Sequence, residues 1–150
     1  MSNYGLISTI LKQKGGDVWS IAEEATVYQA LKLMAEKNVG ALLVTRESKP
    51  VGILSERDYA RKVALKGKAS KNVPVGEIIS GKMITITARH TVEECMRLMS
   101  RQRVRHLPVL EEDKVVGVVS IGDLVTWIIN TQSETINQLE NYITGGDYQM

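Results

Sequence analysis

Two seven-residue segments of the chain carry the same pattern of chemically useful side chains. GILSERD, from Gly52 to Asp58, and GVVSIGD, from Gly117 to Asp123, share a glycine, two aliphatic residues, a serine and an aspartate. Serine followed three positions later by an acidic residue is close to a capping box, so each segment predicts the start of a helix. A helix N-terminus has unpaired N–H groups that favour an anion such as a phosphate, and a carboxylate accepts hydrogen bonds from hydroxyl groups. The pattern therefore allows two interpretations, a helix cap alone or a cap that also binds a ligand.

The seven-residue frame belongs to an internal repeat. Thr26 and Gly52 are matched by Thr91 and Gly117, each 65 residues further on, and the aliphatic positions between them align without a gap. Self-similarity at one fixed spacing indicates a duplicated supersecondary unit, and two copies favour a pseudo-twofold pair over a solenoid. Recurrence of the frame in the same context shifts the balance from a cap alone toward ligand binding.

Each copy predicts the element order β-α-β-β-α. In the first copy a short strand at VWSIA precedes a helix capped by Thr26, the strands VGALLVT and PVGILS follow, and a second helix begins at Ser55. The second copy has a strand at MITIT, a helix capped by Thr91, the strands RHLPVL and VVGVVS, and a helix from Ser120. Short flanking helices are predicted at LISTILKQK and TINQLENYI. The expected fold class is α+β.

Composition indicates a single globular module. The 150 residues are 43% hydrophobic and 24% charged, close to globular averages, and the net charge of +2 does not by itself imply a nucleic-acid partner. Cys95 is the single cysteine, which excludes an internal disulfide and a multi-cysteine zinc site, and its place on an apolar helix face predicts a small core residue. No metal site is expected.

Membrane and catalytic signals are missing from the sequence. No apolar run approaches the roughly 18 residues of a membrane span, and the N-terminus lacks a secretory signal, so a soluble cytoplasmic protein is expected. The chain has no HExxH, P-loop or dinucleotide-binding GxGxxG motif and no evident nucleophile–base set. These observations favour a protein that is not an enzyme.

Two β-α-β-β-α units in tandem, each ending in Gly-aliphatic-aliphatic-Ser-x-x-Asp, resemble a pair of CBS domains, the family named after cystathionine β-synthase. The frames and the segments NVGALLV and RHLPVL carry the resemblance, while SERDYARKV, SIGDLV and INQLENYI are similar to small stand-alone bacterial CBS pairs. The implied boundaries are 1–17 for an N-terminal helix and lead-in, 18–65 for the first repeat, 66–82 for a linker, 83–130 for the second repeat and 131–150 for a C-terminal helix and tail.

The resemblance implies a regulatory or energy-sensing module rather than a catalyst. Such a module binds an adenine nucleotide in the cleft between its repeats and signals through a conformational or oligomeric change. AMP, ADP, ATP and NAD are equally open, and each would be a bound ligand rather than a required cofactor. CBS pairs often dimerise and regulate a partner protein. The alternative is a ligand-independent scaffold or protein-interaction module.

The family's pattern also assigns binding residues. The motif aspartate holds ribose, which carries over to Asp58 and Asp123, and the motif serine lies near the phosphate, which carries over to Ser55 and Ser120. Adenine is expected against backbone groups of the following residues: Trp19, Ser20, Ile21, Gly40, Ala41, Ile84, Thr85 and Ile86.

The two predicted sites differ in their basic residues. Arg57 lies within the first frame, whereas the second frame has Gly122 at that position. Arg105 and His106 begin a strand that faces the same cleft in the family's arrangement, and all three basic residues are expected near phosphate. Two alternatives stay open: Arg57 as an exposed residue of the first helical turn, and His106 as a packing residue.

The C-terminal tail has an apolar stripe at Ile136, Leu139 and Ile143, spaced at i, i+3 and i+7. The stripe packs either on its own module or across a dimer. Because the tail lies outside a fold that is already closed, a homodimer is predicted.

Overall fold

The structure, a computed structural model, describes residues 3–79 and 82–141. Its first half contains, in chain order, α1 (Ile7–Lys14), β1 (Ser20–Ala22), α2 (Val27–Lys37), β2 (Ala41–Arg46), β3 (Lys49–Ser55) and α3 (Glu56–Tyr59), which continues as a π-helical turn at Ala60–Ala64. Two 3-10 turns follow, at Ser70–Asn72 and Val75–Glu77. The second half contains β4 (Ile86–Thr87), α4 (Val92–Gln102), β5 (His106–Glu111), β6 (Lys114–Ser120) and α5 (Ile121–Glu140).

Each repeat forms its own three-stranded sheet. The middle strand is parallel to the first strand and antiparallel to the last, in β1-β2-β3 and again in β4-β5-β6. Val44 pairs with Gly52 in one sheet and Val109 with Gly117 in the other, and both registers shift directly after that pair. The predicted element order and the α+β fold are confirmed.

Capping residues define the helices that follow β1 and β4. The hydroxyls of Thr26 and Thr91 accept hydrogen bonds from backbone N–H groups three residues on, and both capping boxes are complete. Helix α2 ends at Asn38 and α4 at Arg103, both in the left-handed conformation, with φ of 54° and 55°. Asparagine adopts this conformation at a lower energy than arginine does, so the end of α4 at Arg103 is less stable than the end of α2 at Asn38.

The segments outside the two repeats pack crosswise into their cores. Ile7 and Ile10 of α1 are buried in the core of the second repeat, although α1 precedes the first repeat in the chain. Val75 and Ile78 are buried in the core of the first repeat, so part of the segment 66–82, predicted as a linker, is a packed element. Its aliphatic side chains must leave water, and the first core is the surface they cover.

Two glycines allow this crosswise packing. A Cβ atom on Gly117 would lie 2.7 Å from Leu11 Cδ2, and a Cβ atom on Gly52 would lie 3.2 Å from Ile79 Cδ1. The glycine of each frame therefore admits an aliphatic side chain onto the strand, as expected for glycine at a close approach.

Helix α5 corrects the prediction of a separate C-terminal helix. The helix that begins after Ser120 runs without a break for 20 residues to Glu140. The sequence has neither glycine nor proline between Asp123 and Glu140, so nothing ends the helix where the repeat ends. Ile143 of the predicted apolar stripe lies outside the described residues. No helix within the described ranges is long and apolar enough to cross a membrane.

Candidate functional site

The two frames both begin helices, as the capping interpretation predicts. The Ser55 N–H donates to Asp58 Oδ2 at 2.8 Å, and the Asp58 N–H donates to Ser55 Oγ at 3.3 Å. The Ser120 N–H donates to Asp123 Oδ2 at 2.8 Å, and the Asp123 N–H donates to Ser120 Oγ at 3.0 Å. Each aspartate thus has a structural role before any ligand is considered.

Two clefts lie between the repeats, and each combines the frame of one repeat with loops of the other. Cleft 1 has a volume of about 230 Å³ and is lined by Ser55, Arg57 and Asp58 together with residues 82–84 and 103–106.

In cleft 2 the frame comes from the second repeat and the loops come from the first repeat and the segment before it. The cleft has a volume of about 360 Å³. Its lining includes Ser120, Asp123, residues 17–19 and residues 38–43. His106 and Ile53 line both clefts, so the two spaces are neighbours across a shared wall.

Cleft 1 is strongly basic. Its six cationic lining residues are Arg57, Arg61, Lys62, Lys82, Arg103 and Arg105, and its single acidic lining residue is Asp58. Partial burial and the positive charges of Arg105 and Arg61 lower the pKa of Arg57. An arginine whose pKa is depressed by other arginines lies in a field that favours anions.

Cleft 2 is not basic, because its one cationic lining residue is already paired. Lys14 Nζ lies 2.6 Å from Asp123 Oδ2 and donates to the Val118 carbonyl at 2.6 Å. The lining also includes Asp17. The Trp19 ring borders this cleft, and Lys37 Nζ lies 4.4 Å from the ring centroid, in the geometry of a cation–π contact.

The ion pair of Asp58 is longer than that of Asp123. Lys62 Nζ lies 3.5 Å from Asp58 Oδ1 and donates to the Ile78 carbonyl at 2.8 Å. Lys62 follows Asp58 by one helical turn, whereas Lys14 reaches Asp123 from the distant helix α1.

His106 lines both clefts, one with Asp58 and the other with Asp123. Burial and the charge of Lys14 lower the pKa of His106, against the opposite effect of Asp123 and Asp58. The neutral imidazole, which can both donate and accept a hydrogen bond, is therefore the favoured form near neutral pH.

Comparison with known proteins identifies the architecture. The CBS domain family matches residues 13–65 and 75–130. The chain belongs to the CBS-domain family. The match includes both frames and both sheets, so the predicted CBS pair is confirmed.

Other CBS proteins support the same assignment. The Arabidopsis thaliana "CBS domain-containing protein CBSX3, mitochondrial" is 39% identical over 150 residues, covering 93% of this chain and 72% of the relative. A putative signal-transduction protein with CBS domains from Burkholderia ambifaria superposes with a TM-score of 0.80 at 44% identity, covering 83% of this chain and 94% of that one. A hexameric CBS-CP12 protein from bloom-forming cyanobacteria superposes with a TM-score of 0.73 at 29% identity, covering 81% of this chain and 70% of that one. These relatives are named for CBS domains or signal transduction and not for a reaction.

The CBS clefts bring together most of the residues singled out in the sequence. Cleft 1 collects Ser55, Arg57, Asp58, Ile84, Arg105 and His106. Cleft 2 collects Trp19, Gly40, Ala41, Ser120, Asp123 and, again, His106.

Four predicted adenine contacts line neither cleft. Ser20 and Ile21 belong to β1 and pair with β2, and Ile21 packs partly against the first core. Ile86 is buried in the second core, and Thr85, directly before it, is absent from both linings.

Several charged lining residues were missed by sequence reasoning. Arg61 and Lys62 follow Arg57 and Asp58 by four residues, a spacing that places them on the same helical face and could have identified them. Lys14 gives no such signal, because only the crosswise packing of α1 brings it to cleft 2.

Cys95 confirms the prediction of a core residue. Its side chain is fully buried in the second core, and burial raises the pKa of the thiol to about 12. A thiol with this pKa is protonated and unreactive at neutral pH.

Proposed function

We propose that this CBS pair is a regulatory module that binds an adenine nucleotide in cleft 1. The observation that carries the proposal is the basic lining of cleft 1, where Arg57 of the first repeat and Arg105 of the second lie close enough to lower the pKa of Arg57. A phosphate between these two guanidinium groups would relieve their repulsion and accept charge-assisted hydrogen bonds from both.

Asp58 offers an acceptor for the ribose. Oδ2 accepts hydrogen bonds from the Ser55 N–H at 2.8 Å and from the Ser55 hydroxyl at 3.1 Å, and Lys62 is 3.5 Å from Oδ1. A carboxylate has about four lone-pair positions, so these contacts leave capacity for hydroxyl groups of a ribose diol. In cleft 2 the same role is proposed for Asp123, in competition with Lys14, which is 2.6 Å away.

The remaining lining of cleft 1 suits a purine. Ile53, Met83, Ile84 and Val104 supply apolar surface beside the polar groups of the frame. Apolar walls with a few convergent polar groups are typical of small-molecule sites. AMP, ADP, ATP and NAD share the adenosine part that such walls would hold.

Signalling would follow from the position of cleft 1 between the repeats. A nucleotide held by Arg57 and Arg105 links two separately packed cores, so binding favours one arrangement of the repeats over another. Helix α5 could transmit this change to a partner, since Val125, Ile129 and Leu139 leave 41%, 55% and 56% of their surface exposed. We propose that this apolar face, which also includes Ile136 at 54%, forms a homodimer interface.

Calorimetry with AMP and adenosine tests the nucleotide proposal. Arg57→Ala and Arg105→Ala should each weaken AMP binding by about ten- to 150-fold, with the half-buried Arg57 giving the larger loss. Adenosine, which lacks the anion, should change by less than about twofold. Arg89→Ala is the matched control, because Arg89 is exposed and lines neither cleft. Equal losses for AMP and adenosine would show that the arginines act through the fold.

The alternative function is a ligand-independent scaffold, and one observation favours it. Both motif aspartates complete a capping box at N3 and pair with a lysine, which gives each of them a structural role. A wild-type protein that binds none of the four nucleotides at micromolar concentrations would support the scaffold. The predicted cytoplasmic location and the regulated partner protein stay predictions.

A further inference from the structure

The basic lining of cleft 1 extends well beyond the two arginines that a single phosphate requires. Arg61 lies one helical turn after Arg57, on the same face, and its charge contributes to the lowered pKa of Arg57. Arg103 and Lys82 line the same cleft from the second repeat and the segment before it.

In the described part of the chain, most of these cations form no ion pair with a carboxylate, although Asp58 acts on Arg57 through its charge. Among residues 3–79 and 82–141, the ion pairs are Lys14–Asp123, Arg46–Glu23 and Lys62–Asp58, so Lys62 is the one paired cation of cleft 1. Five positive side chains on one small cleft repel one another, and a ligand with several negative charges would remove more of that cost than a ligand with few.

The conformation of Arg103 adds a second argument. Arg103 ends α4 with φ of 55°, the position at which the first repeat has Asn38 with φ of 54°. Asparagine adopts this conformation at lower cost, so the arginine gives up a little backbone stability. In return, the guanidinium group of Arg103 lies on the rim of cleft 1.

The size of cleft 1 is consistent with a ligand that extends along its rim. Its volume of about 230 Å³ is smaller than the roughly 300–1,000 Å³ of typical small-molecule sites, so part of a nucleotide must lie outside the enclosed space. Arg61 and Arg103 are exposed residues of the lining, where an extended anionic chain can reach them.

We propose that cleft 1 is a polyphosphate site, in which Arg61, Lys82 and Arg103 hold the phosphates beyond the first. This inference rests on the proposed nucleotide function and ranks its ligands, with affinity increasing from AMP to ADP to ATP. Inorganic tripolyphosphate, which carries the charges without adenosine, should bind in the same cleft and compete with ATP.

Calorimetry at one fixed ionic strength tests the ranking, first on the wild-type protein with AMP, ADP, ATP, GTP, adenosine and tripolyphosphate. ATP should bind at least about tenfold more tightly than AMP, since one additional charge-assisted bond has this effect. The double variant Arg61→Ala/Arg103→Asn should lower the affinity for ATP by about tenfold more than the affinity for AMP, and so lose this preference. Asparagine at position 103 preserves the left-handed helix end, as Asn38 does in the first repeat.

The matched control is Arg89→Ala/Arg101→Ala, which removes the same charge from exposed positions outside both clefts. It should keep the wild-type ranking. AMP, ADP and ATP with equal wild-type affinities, or equal losses in both double variants, would overturn the polyphosphate site and leave the nucleotide function standing. Tripolyphosphate and GTP binding as tightly as ATP, with no binding of adenosine, would support the polyphosphate site and overturn the adenine function.

Discussion

Clefts 1 and 2 contain frames with the same capping geometry, but their lining residues differ in charge. Ser55 and Ser120 both donate their N–H groups to the motif aspartate at 2.8 Å, and both begin a helix. Cleft 1 nevertheless has six cationic and one acidic lining residue, while cleft 2 has Lys14 against Asp17 and Asp123. The shared frame therefore serves the fold in both repeats, and the residues around the frame decide which anion, if any, each cleft can hold.

The partners of the two aspartates sharpen this contrast. Asp123 is 2.6 Å from Lys14, and α1 is held in place by Ile7 and Ile10, which are buried in the second core. Asp58 is 3.5 Å from Lys62, a neighbour on its own helix. The fold thus neutralises the carboxylate of cleft 2 and leaves cleft 1 with excess positive charge.

The largest expected effect separates the two aspartates. Asp58→Ala should weaken AMP binding at cleft 1 by about ten- to 150-fold, because it removes hydrogen bonds to a charged acceptor. Asp123→Ala should change that affinity by no more than about twofold, since its side chain lines the other cleft. Calorimetry measures both losses, and equal losses would contradict the assignment of ribose to Asp58.

A control with 2′-deoxy-AMP distinguishes ribose binding from capping. Both substitutions remove the N3 carboxylate of a capping box in the first helical turn, so both should lower the free energy of unfolding by up to about 1 kcal/mol. At cleft 1, the wild-type protein and Asp123→Ala should prefer AMP to 2′-deoxy-AMP, and Asp58→Ala should lose the preference. A preference that survives in Asp58→Ala would return this aspartate to a purely structural role.

The next largest effect concerns the glycines that admit the crosswise segments. Gly117→Ala should lower the free energy of unfolding by roughly 1–2 kcal/mol, because the added Cβ would lie 2.7 Å from Leu11 Cδ2. Gly52→Ala should cost less, since its nearest atom, Ile79 Cδ1, is 3.2 Å away. Urea unfolding measures both changes. Leu11→Ala should remove most of the penalty of Gly117→Ala, and a purely additive double variant would contradict this packing account.

Smaller changes are expected from the lysines beside the aspartates. Lys14→Met and Lys62→Met should each lower the free energy of unfolding by at most about 1 kcal/mol, because both ion pairs are partly exposed. Lys14→Met should have the larger effect in urea unfolding, since its pair is 2.6 Å long against 3.5 Å. The reverse order would indicate that α1 does not hold Lys14 on Asp123.

The smallest expected effect is a pH dependence from His106, because the aspartates partly offset the causes that lower its pKa. A lowered pKa in the folded protein gives full stability above the ordinary histidine value of 6.5 and a loss of stability as the pH falls below it. His106→Ala introduces the residue that the first repeat has at the equivalent position, Ala41, and should remove this loss of stability at low pH. In urea unfolding, the stability advantage of wild type over the variant should shrink from pH 7.5 to pH 5.5. A constant difference would contradict the burial of His106.

The repeat and its elements could be predicted from the sequence because they depend on local patterns. Capping boxes at Thr26 and Thr91 and the exact 65-residue spacing identified both units and the family. The crosswise packing could not be predicted in this way, since Ile7 and Ile10 match Val75 and Ile78 at a spacing of 68 residues and only as aliphatic positions.

The candidate site was predictable in part for the same reason. The frames gave Ser55, Asp58 and Arg57 directly, and the resemblance gave Arg105 and His106. The full charge of cleft 1 depends on residues from both repeats and the segment between them, which only the folded chain brings together. The occupation of cleft 2 by Lys14 likewise depends on long-range packing.

A crystal structure of the protein grown with AMP tests the central claim, that cleft 1 is the nucleotide site, most directly. We expect phosphate oxygens within hydrogen-bond distance of Arg57 and Arg105, and ribose hydroxyls on Asp58, with Lys14 still on Asp123. A phosphate bound by Lys14 in cleft 2, with cleft 1 empty, would contradict the account.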